Sequence, residues 1–300
     1  MFYTHTQRLP YTDALHFYGN ARTAMPSCLF ESAAVSDKSS RMSVIGLEPG
    51  LELIGKEELL EGRLLHERGK PFFDLIIREY EAFLLDISSE RFVLQIPRTP
   101  FTGAEENRLD RLNIVQPLRR LLAAFPSPEK NFMGLYGAFS YRFVYQFEDI
   151  LHGKPDPDPD FHLFLFDNIL LFNHLTQDLT LYVTRRDSDQ AARDAESLLR
   201  RTGQNPDAAH PADKLRIGKF HAAPDDETFM AQVAEGVRLC HAGELLEIVL
   251  SRKLVASVEG DLLGLLLRAL TLKQHHQRHE KQADNHPEGE IADVGVHHKS

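Results

Sequence analysis

Apolar positions along this chain recur with two different periods, and together they predict a fold of mixed strands and helices. Residues 28–33, Cys-Leu-Phe-Glu-Ser-Ala, suit a short buried strand carrying one acid, Glu31. Met42–Ile45 reads as a second strand, closed by a turn over Gly46–Gly50 that contains Pro49. Leu51–Ile54 and Arg63–Leu65 are predicted strands on either side of a loop at Glu57–Gly62. Over Phe72–Leu85 the period changes. Phe72, Leu75, Ile76, Tyr80 and Phe83 fall mostly on one helical face. Ile114–Phe125 predicts another helix with basic residues outward, and the polar stretch Thr102–Arg111 between the two reads as a loop.

Farther along, Phe132–Tyr145 is aromatic and punctuated by glycine. The run from Lys154 to Asp160 alternates proline with aspartate. A proline has no N–H to give a sheet ladder, so this run predicts an exposed connector. Phe161–Leu171 and Leu179–Thr184 are β-rich, and Asn173–Asp178 between them is a hairpin signal. Ala191–Arg201 predicts a surface helix, and the polar stretch Gly203–Asp213 a linker and domain boundary. From Asp226, apolar residues at Phe229, Met230, Val233, Val237 and Cys240 predict a helix. Asp225 or Asp226 can cap its start and Gly243 can stop it. A strand is expected at Leu245–Leu250, and Asp261 can cap a further helix reaching Leu270. From Leu272 onward, six of the chain's fifteen histidines crowd a stretch without aromatic residues, which predicts disorder.

Composition narrows the partners. The net charge of −10 argues against wrapping a phosphate backbone, which needs clustered lysine and arginine. Two cysteines in 300 residues make no disulfide framework and suit a reducing cytoplasm. The apolar-rich run Phe161–Leu175 is broken by His162, Asp167, Asn168, Asn173 and His174, so no membrane span is expected. Glu244 and Glu247 invite an acid/base or Mg²⁺ reading, but a turn and a strand start are poor places for it. His275, His276 and His279 could share a helix face and hold a metal opportunistically, and a solvated tail is the plainer reading. Glu31 in an apolar strand is costly to bury unless partnered, either by a ligand ammonium or by a salt bridge in the core. Gly134 and Gly137 permit close backbone approach.

Several segments, in order, resemble one family. Leu29-Phe30-Glu31-Ser32-Ala33 resembles an L-L-E-S element, and Arg41–Gly46 an R-Y-S-F-I-G element. Phe132–Tyr141 resembles F-x-G-G-x-x-G-Y-x-x-Y, with Leu135 where a second glycine is usual. Phe147-Glu148-Asp149 resembles F-E-D. Pro159–Leu175 resembles a P-D…D-x-x-x-x-F-[DN]-H segment, with Asp167 and His174 in register. The helix from Asp226, the Ala-Gly-Glu turn and Glu247–Arg252 resemble the opening of a chorismate-binding domain. These are features of the large component (component I) of anthranilate synthase. Single short motifs are weak, and their shared order makes the match specific.

The resemblance implies an α+β fold of two packed β-sheets with outer helices. It implies an N-terminal domain at residues 1–213, the start of a chorismate-binding domain at 224–271, and a tail at 272–300 unlike the family. It places Glu31 and Ser32 at a tryptophan feedback site. In the intact family chorismate and ammonia give anthranilate and pyruvate, with Mg²⁺ bound and ammonia supplied by a glutamine amidotransferase partner. The family's N-P-S-P-Y element and its later catalytic and Mg²⁺-binding motifs do not follow Leu270. The expectation is therefore a truncated or frameshifted copy with an incomplete second domain, no catalytic residue of its own and no bound Mg²⁺. Aminodeoxychorismate synthase, which shares the architecture, and a non-catalytic partner- or ligand-binding fragment are the alternatives.

Overall fold

The structure is a computed structural model that describes residues 2–21, 23–31, 41–99, 111–125, 131–148, 157–202 and 216–260. The predicted loop at 102–110, most of the proline-rich connector, the linker from Gly203, the helix after Asp261 and the tail lie outside the described residues. The chain divides into two compact units, Met1–Ala208 and Ala209–Ser300.

The first unit is α+β, with two antiparallel sheets. In chain order it contains β1 (Tyr3–Leu9), α1 (Ala14–Ala21), β2 (Ser27–Phe30), β3 (Met42–Leu47), β4 (Leu51–Lys56), β5 (Leu59–Leu64), α2 (Lys70–Glu79), β6 (Leu84–Ile87) and β7 (Arg91–Gln95). There follow α3 (Gln116–Ala124), β8 (Gly134–Phe139), β9 (Phe161–Phe166), β10 (Asn168–Asn173), β11 (Asp178–Arg185) and α4 (Ser188–Thr202). One sheet has the order β1-β11-β10-β3-β2, the other β6-β7-β5-β4-β9-β8. Each buries its own core. Leu53, Leu60, Phe92 and Leu163 of the six-stranded sheet pack with Phe73 and Ile76 of α2 and Leu118 and Leu121 of α3. Ile45, Leu170, Leu181 and Val183 of the five-stranded sheet pack with Ala14 of α1 and Ala195 and Leu198 of α4. The sheets meet through aromatic rings. Phe132 and Tyr182 lie 5.2 Å apart, Phe30 and Tyr136 5.8 Å, and the Phe166 ring fills the space over Gly46.

The predicted helices around Ile114–Phe125 and Ala191–Arg201 and the hairpin at Asn173–Asp178 are present. Two expectations in this unit change. The helix expected through Leu85 ends at Glu79. Leu84–Ile87 instead pairs with β7, where it gains a ladder, and a 3-10 turn at Glu81–Phe83 makes the corner. The loop expected at Glu57–Gly62 shrinks to a tight turn, because Lys56 pairs with Leu59 and fully buried Leu60 belongs to the strand. The β-rich run Phe161–Leu171 divides between two strands in different sheets, parted by the single residue Asp167.

Asp167 explains that break. Its side chain is about 9% exposed and receives Arg68 Nε at 3.1 Å and Arg185 Nη1 at 3.0 Å. Arg68 also donates to the Glu48 carbonyl (2.5 Å), and Arg185 to Asn168 Oδ1 (2.7 Å) and Asp194 (2.6 Å). An unpaired carboxylate here would be expelled. With two guanidiniums and their further acceptors the crossing is satisfied, and it ties β5's exit, β10, β11 and α4 to one point.

In the second unit α5 (Asp226–His241) is capped as expected. The Asp225 side chain accepts from Thr228 N at 2.8 Å, and Gly243 ends the helix at φ 74°. The strand expected at Leu245–Leu250 does not form, because nothing among the described residues pairs with it. Pairing falls instead between β13 (His221–Ala223) and β14 (Lys253–Val255), and between β12 (Arg216–Ile217) and β15 (Val258–Glu259).

Asp167→Ala should destabilise the first unit by about 3 kcal/mol, near the lower end for breaking a buried pair, because Arg185 keeps Asp194. That corresponds to a fall in Tm of roughly 6–12 °C. Arg8→Ala removes an exposed pair with Asp178 at 3.9 Å and should cost no more than about 0.5 kcal/mol. Urea and thermal melts of both variants check this, and equal effects would show that the crossing is not held by charge.

Candidate functional site

The site is built around Glu31. β2 runs antiparallel to β3 with Phe30 opposite Val44, so the next residue, Glu31, comes opposite Ser43. Side chains alternate along a strand. Leu29 turns toward the core with Ile45, and Glu31, two residues on, turns to the same side. Its side chain is about 8% exposed. Cys28 and Phe30 point the other way, where burial pushes the Cys28 thiol up to about 11 and the Tyr136 phenol up to about 12. Neither is a nucleophile at neutral pH.

Three groups converge on the Glu31 carboxylate from distant parts of the chain. Ser43, fully buried on β3, lies beside it. His174, at the start of the β10–β11 turn, stands with Nε2 3.9 Å from Oε1 and 2.6 Å from Ser43 Oγ. Tyr11, after β1, places its hydroxyl 2.9 Å from His174 Nδ1. The His174 backbone N–H donates to the Arg41 carbonyl at 2.8 Å, which fixes the ring's position. Glu31 Oε2, although buried, has no hydrogen-bond partner among the described residues. Burial raises the carboxyl above the ordinary glutamate range. Nearby Ser43 and His174 pull it back in part, and Asp13 pushes it further up. Tyr11 is raised in turn by burial, Asp13 and Glu31.

Of the residues expected at a tryptophan site, Glu31 is at the centre of this group and Ser32 lies outside the described residues. Tyr11, Ser43 and His174 were not expected there. The signal available was the placement of Ser43 and His174 inside family-like segments, but a contact across 131 residues is invisible to local periodicity. Asp167, the other matched residue, belongs to the sheet crossing. Gly137 is required, since a Cβ there would sit 2.0 Å from the His162 carbonyl oxygen. Gly134 is not, because its nearest obstacle is the Tyr136 ring at 3.5 Å. Glu244 and Glu247 are exposed, with only a 3.9 Å approach of Arg238 to Glu244. Among the described residues no three His, Cys, Asp or Glu side chains are grouped to hold a metal ion, and no helix is long and apolar enough to cross a membrane. A cavity of about 250 Å³ lies beside the sheet crossing, but Arg68 and Arg185 on its wall are already neutralised by Asp167.

An α+β unit with this buried acid can be set against known proteins. The family described as chorismate binding enzyme matches residues 61–279, and the chain belongs to that family. Among curated relatives, anthranilate synthase component 1 of Serratia marcescens is 26% identical over 255 residues, covering 81% of this chain and 48% of that protein. The pyocyanine-specific anthranilate synthase component 1 of Pseudomonas aeruginosa is 28% identical over 236 residues, covering 75% and 44%. The chain thus spans about half the length of these relatives. A crystal structure of anthranilate synthase component I from Streptococcus pneumoniae TIGR4 aligns with a TM-score of 0.44 at 15% identity, over 76% of this chain and 44% of that one.

Glu31→Gln should stabilise the first unit at neutral pH. A carboxyl whose folded pKa is raised stabilises the fold below its unfolded pKa, and that contribution is lost as pH rises through the folded value. The neutral amide escapes the loss. A gain of about 1 kcal/mol, or roughly 2–4 °C in Tm, is expected at pH 7, shrinking to nothing below about pH 4. Thermal melts at the two pH values check it, and a loss of stability at pH 7 would mean the charged form is fully compensated.

Proposed function

We propose that this chain is a homologue of the large component of anthranilate synthase and that Glu31 accepts the amino group of tryptophan. The observation that carries the second part is the buried, unpartnered Oε2 of Glu31. A buried carboxylate oxygen without a donor is costly, typically by about 1–3 kcal/mol. A ligand ammonium would supply the missing donor and the missing charge at once. Membership of the chorismate-binding family and the two anthranilate synthase relatives support the first part. Ser32, next in the chain, is proposed as a second contact.

The whole enzyme's reaction, chorismate and ammonia to anthranilate and pyruvate, is proposed for the assembly with a glutamine amidotransferase subunit. No catalytic role is given to any described residue. Mg²⁺ would neutralise a substrate carboxylate there, but the described residues hold no carboxylate set that fits it, so no step is derived through it. Two free cysteines accord with a cytoplasmic location.

Two outcomes are expected. L-Tryptophan should bind weakly, at about millimolar Kd or about 4 kcal/mol, in line with a site built on few contacts. N-Acetyl-L-tryptophan, which has no ammonium, should not bind, and Glu31→Gln should abolish the tryptophan signal. Chemical-shift titration measures all three, and equal perturbation by both ligands would remove Glu31 from the reading. Separately, the chain alone, given chorismate, ammonium and Mg²⁺, should yield no anthranilate fluorescence above a protein-free blank. A clear signal would assign turnover to residues given no role here.

A further inference from the structure

The 3-10 turn Glu67–Gly69, between β5 and α2, is where Arg68 leaves the backbone to reach Asp167. Backbone bonds pin that turn. The Leu65 and His66 N–H groups donate to the Gly50 carbonyl at 3.1 and 3.2 Å, and the Gly69 N–H donates to the His66 carbonyl at 2.8 Å. Gly69 lies so close to Gly50 that a Cβ on it would sit 2.1 Å from the Gly50 oxygen. The Arg68 N–H is met by a side chain instead, and donates to His66 Nδ1 at 3.2 Å. A backbone N–H can only donate, so Nδ1 must offer a lone pair, and the proton of the neutral imidazole is on Nε2. A protonated ring carries N–H at both nitrogens and cannot make this bond.

We infer that His66 is an acid-sensitive cap on the sheet crossing: its neutral ring holds the turn that carries Arg68 to Asp167, and protonation releases that turn. Once protonated, Nδ1–H would face the Arg68 N–H, donor against donor, and the ring must swing away. The surrounding charges act in both directions. Arg68 on the same turn and Arg185 from the end of β11 oppose a positive ring, while Asp167 at the joint and Glu48 after β3 favour it. In the recess that His66 shares with α4, Asp194 is tied to Arg185 and Arg201 to Glu48. Glu67 and Arg186, of opposite sign, line the cavity on its other side. Burial and the two arginines hold the ring below the ordinary histidine range. The neutral ring therefore supports the fold in full above the unfolded value of about 6.5, and that support is lost as pH falls through the lower folded value. Ordinary carboxylates titrate only near about pH 4, so this response precedes general acid unfolding.

The test uses the full chain as wild type, His66→Asn and His66→Ala. Asparagine keeps an acceptor oxygen for the Arg68 N–H and does not titrate, whereas alanine offers no acceptor. Nitrogen-15 NMR of the wild type at neutral pH should place the ring proton on Nε2. As pH falls, the Arg68 amide resonance should move with the same midpoint as the His66 ring, below that of ordinary histidine. In thermal melts between about pH 7 and pH 4, the wild type should lose about 2–4 °C more than His66→Asn, the worth of one cap in a unit of this size. His66→Ala should melt about 2–4 °C below wild type at neutral pH and also lack the extra loss in acid. A ring proton on Nδ1 at neutral pH, or the same pH dependence in wild type and His66→Asn, overturns the inference. Should either variant fail to fold by circular dichroism, the wild-type tautomer and the shared midpoint of His66 and the Arg68 amide decide it.

Discussion

A carboxylate trapped between two guanidiniums holds the first unit together. β9 and β10 are consecutive, yet each belongs to a different sheet, and only Asp167 lies between them. A chain that changes sheets in one residue cannot keep its backbone in either ladder at that point. It also cannot bring the side chain at the break to solvent, because the sheets close over it. The sequence meets this with the group that accepts most hydrogen bonds in least volume, and with arginines that can fork. Arg68 arrives from the turn after β5 and Arg185 from the end of β11. The charge is buried and neutralised in place, and the two helix-covered cores assemble on either side of it.

The same physics has a different outcome at Glu31. There the acid's side chain is as buried, but its neighbours are a hydroxyl and an imidazole, and one oxygen is left without a donor. Asp167 sits in a closed electrostatic account; Glu31 sits in an open one. A buried carboxylate oxygen without a donor carries its desolvation cost uncompensated. That missing partner separates these two acids more clearly than either residue's identity does.

Much of the fold was legible in the local pattern. The cap at Asp225, the stop at Gly243, the hairpin at Asn173–Asp178 and the helices at Gln116–Ala124 and Ser188–Thr202 are set by neighbouring residues, and periodicity reads neighbours. What failed depended on distant partners. Leu84 and Leu85 continue a helical stripe, but β7 offers them a ladder. Leu245–Leu250 has strand composition and finds no strand to join among the described residues. Asp167 was one of several polar residues within a β-rich run, and no local rule says that Arg68 and Arg185 will reach it. Glu31 stood out because an acid in an apolar run is costly wherever it goes. Tyr11, Ser43 and His174 did not stand out, since each is unremarkable until the topology places it.

The one-residue joint between β9 and β10 has a consequence for how this architecture can vary. Side chains in a strand alternate with a period of two, so adding or deleting one residue at the joint would turn every following side chain of β10 to the opposite face. Leu170 and Phe172 would leave their core together. Because β10 pairs with both β3 and β11, the slip would pass to two neighbours at once. Substitutions at this point can be graded, from Asn to Ala. Changes of length cannot be. Insertions and deletions should therefore be barred from residues 166–168 even where amino-acid identity is free to drift. The joint acts as a ruler as well as a clasp, and it fixes the phase of both sheets by counting.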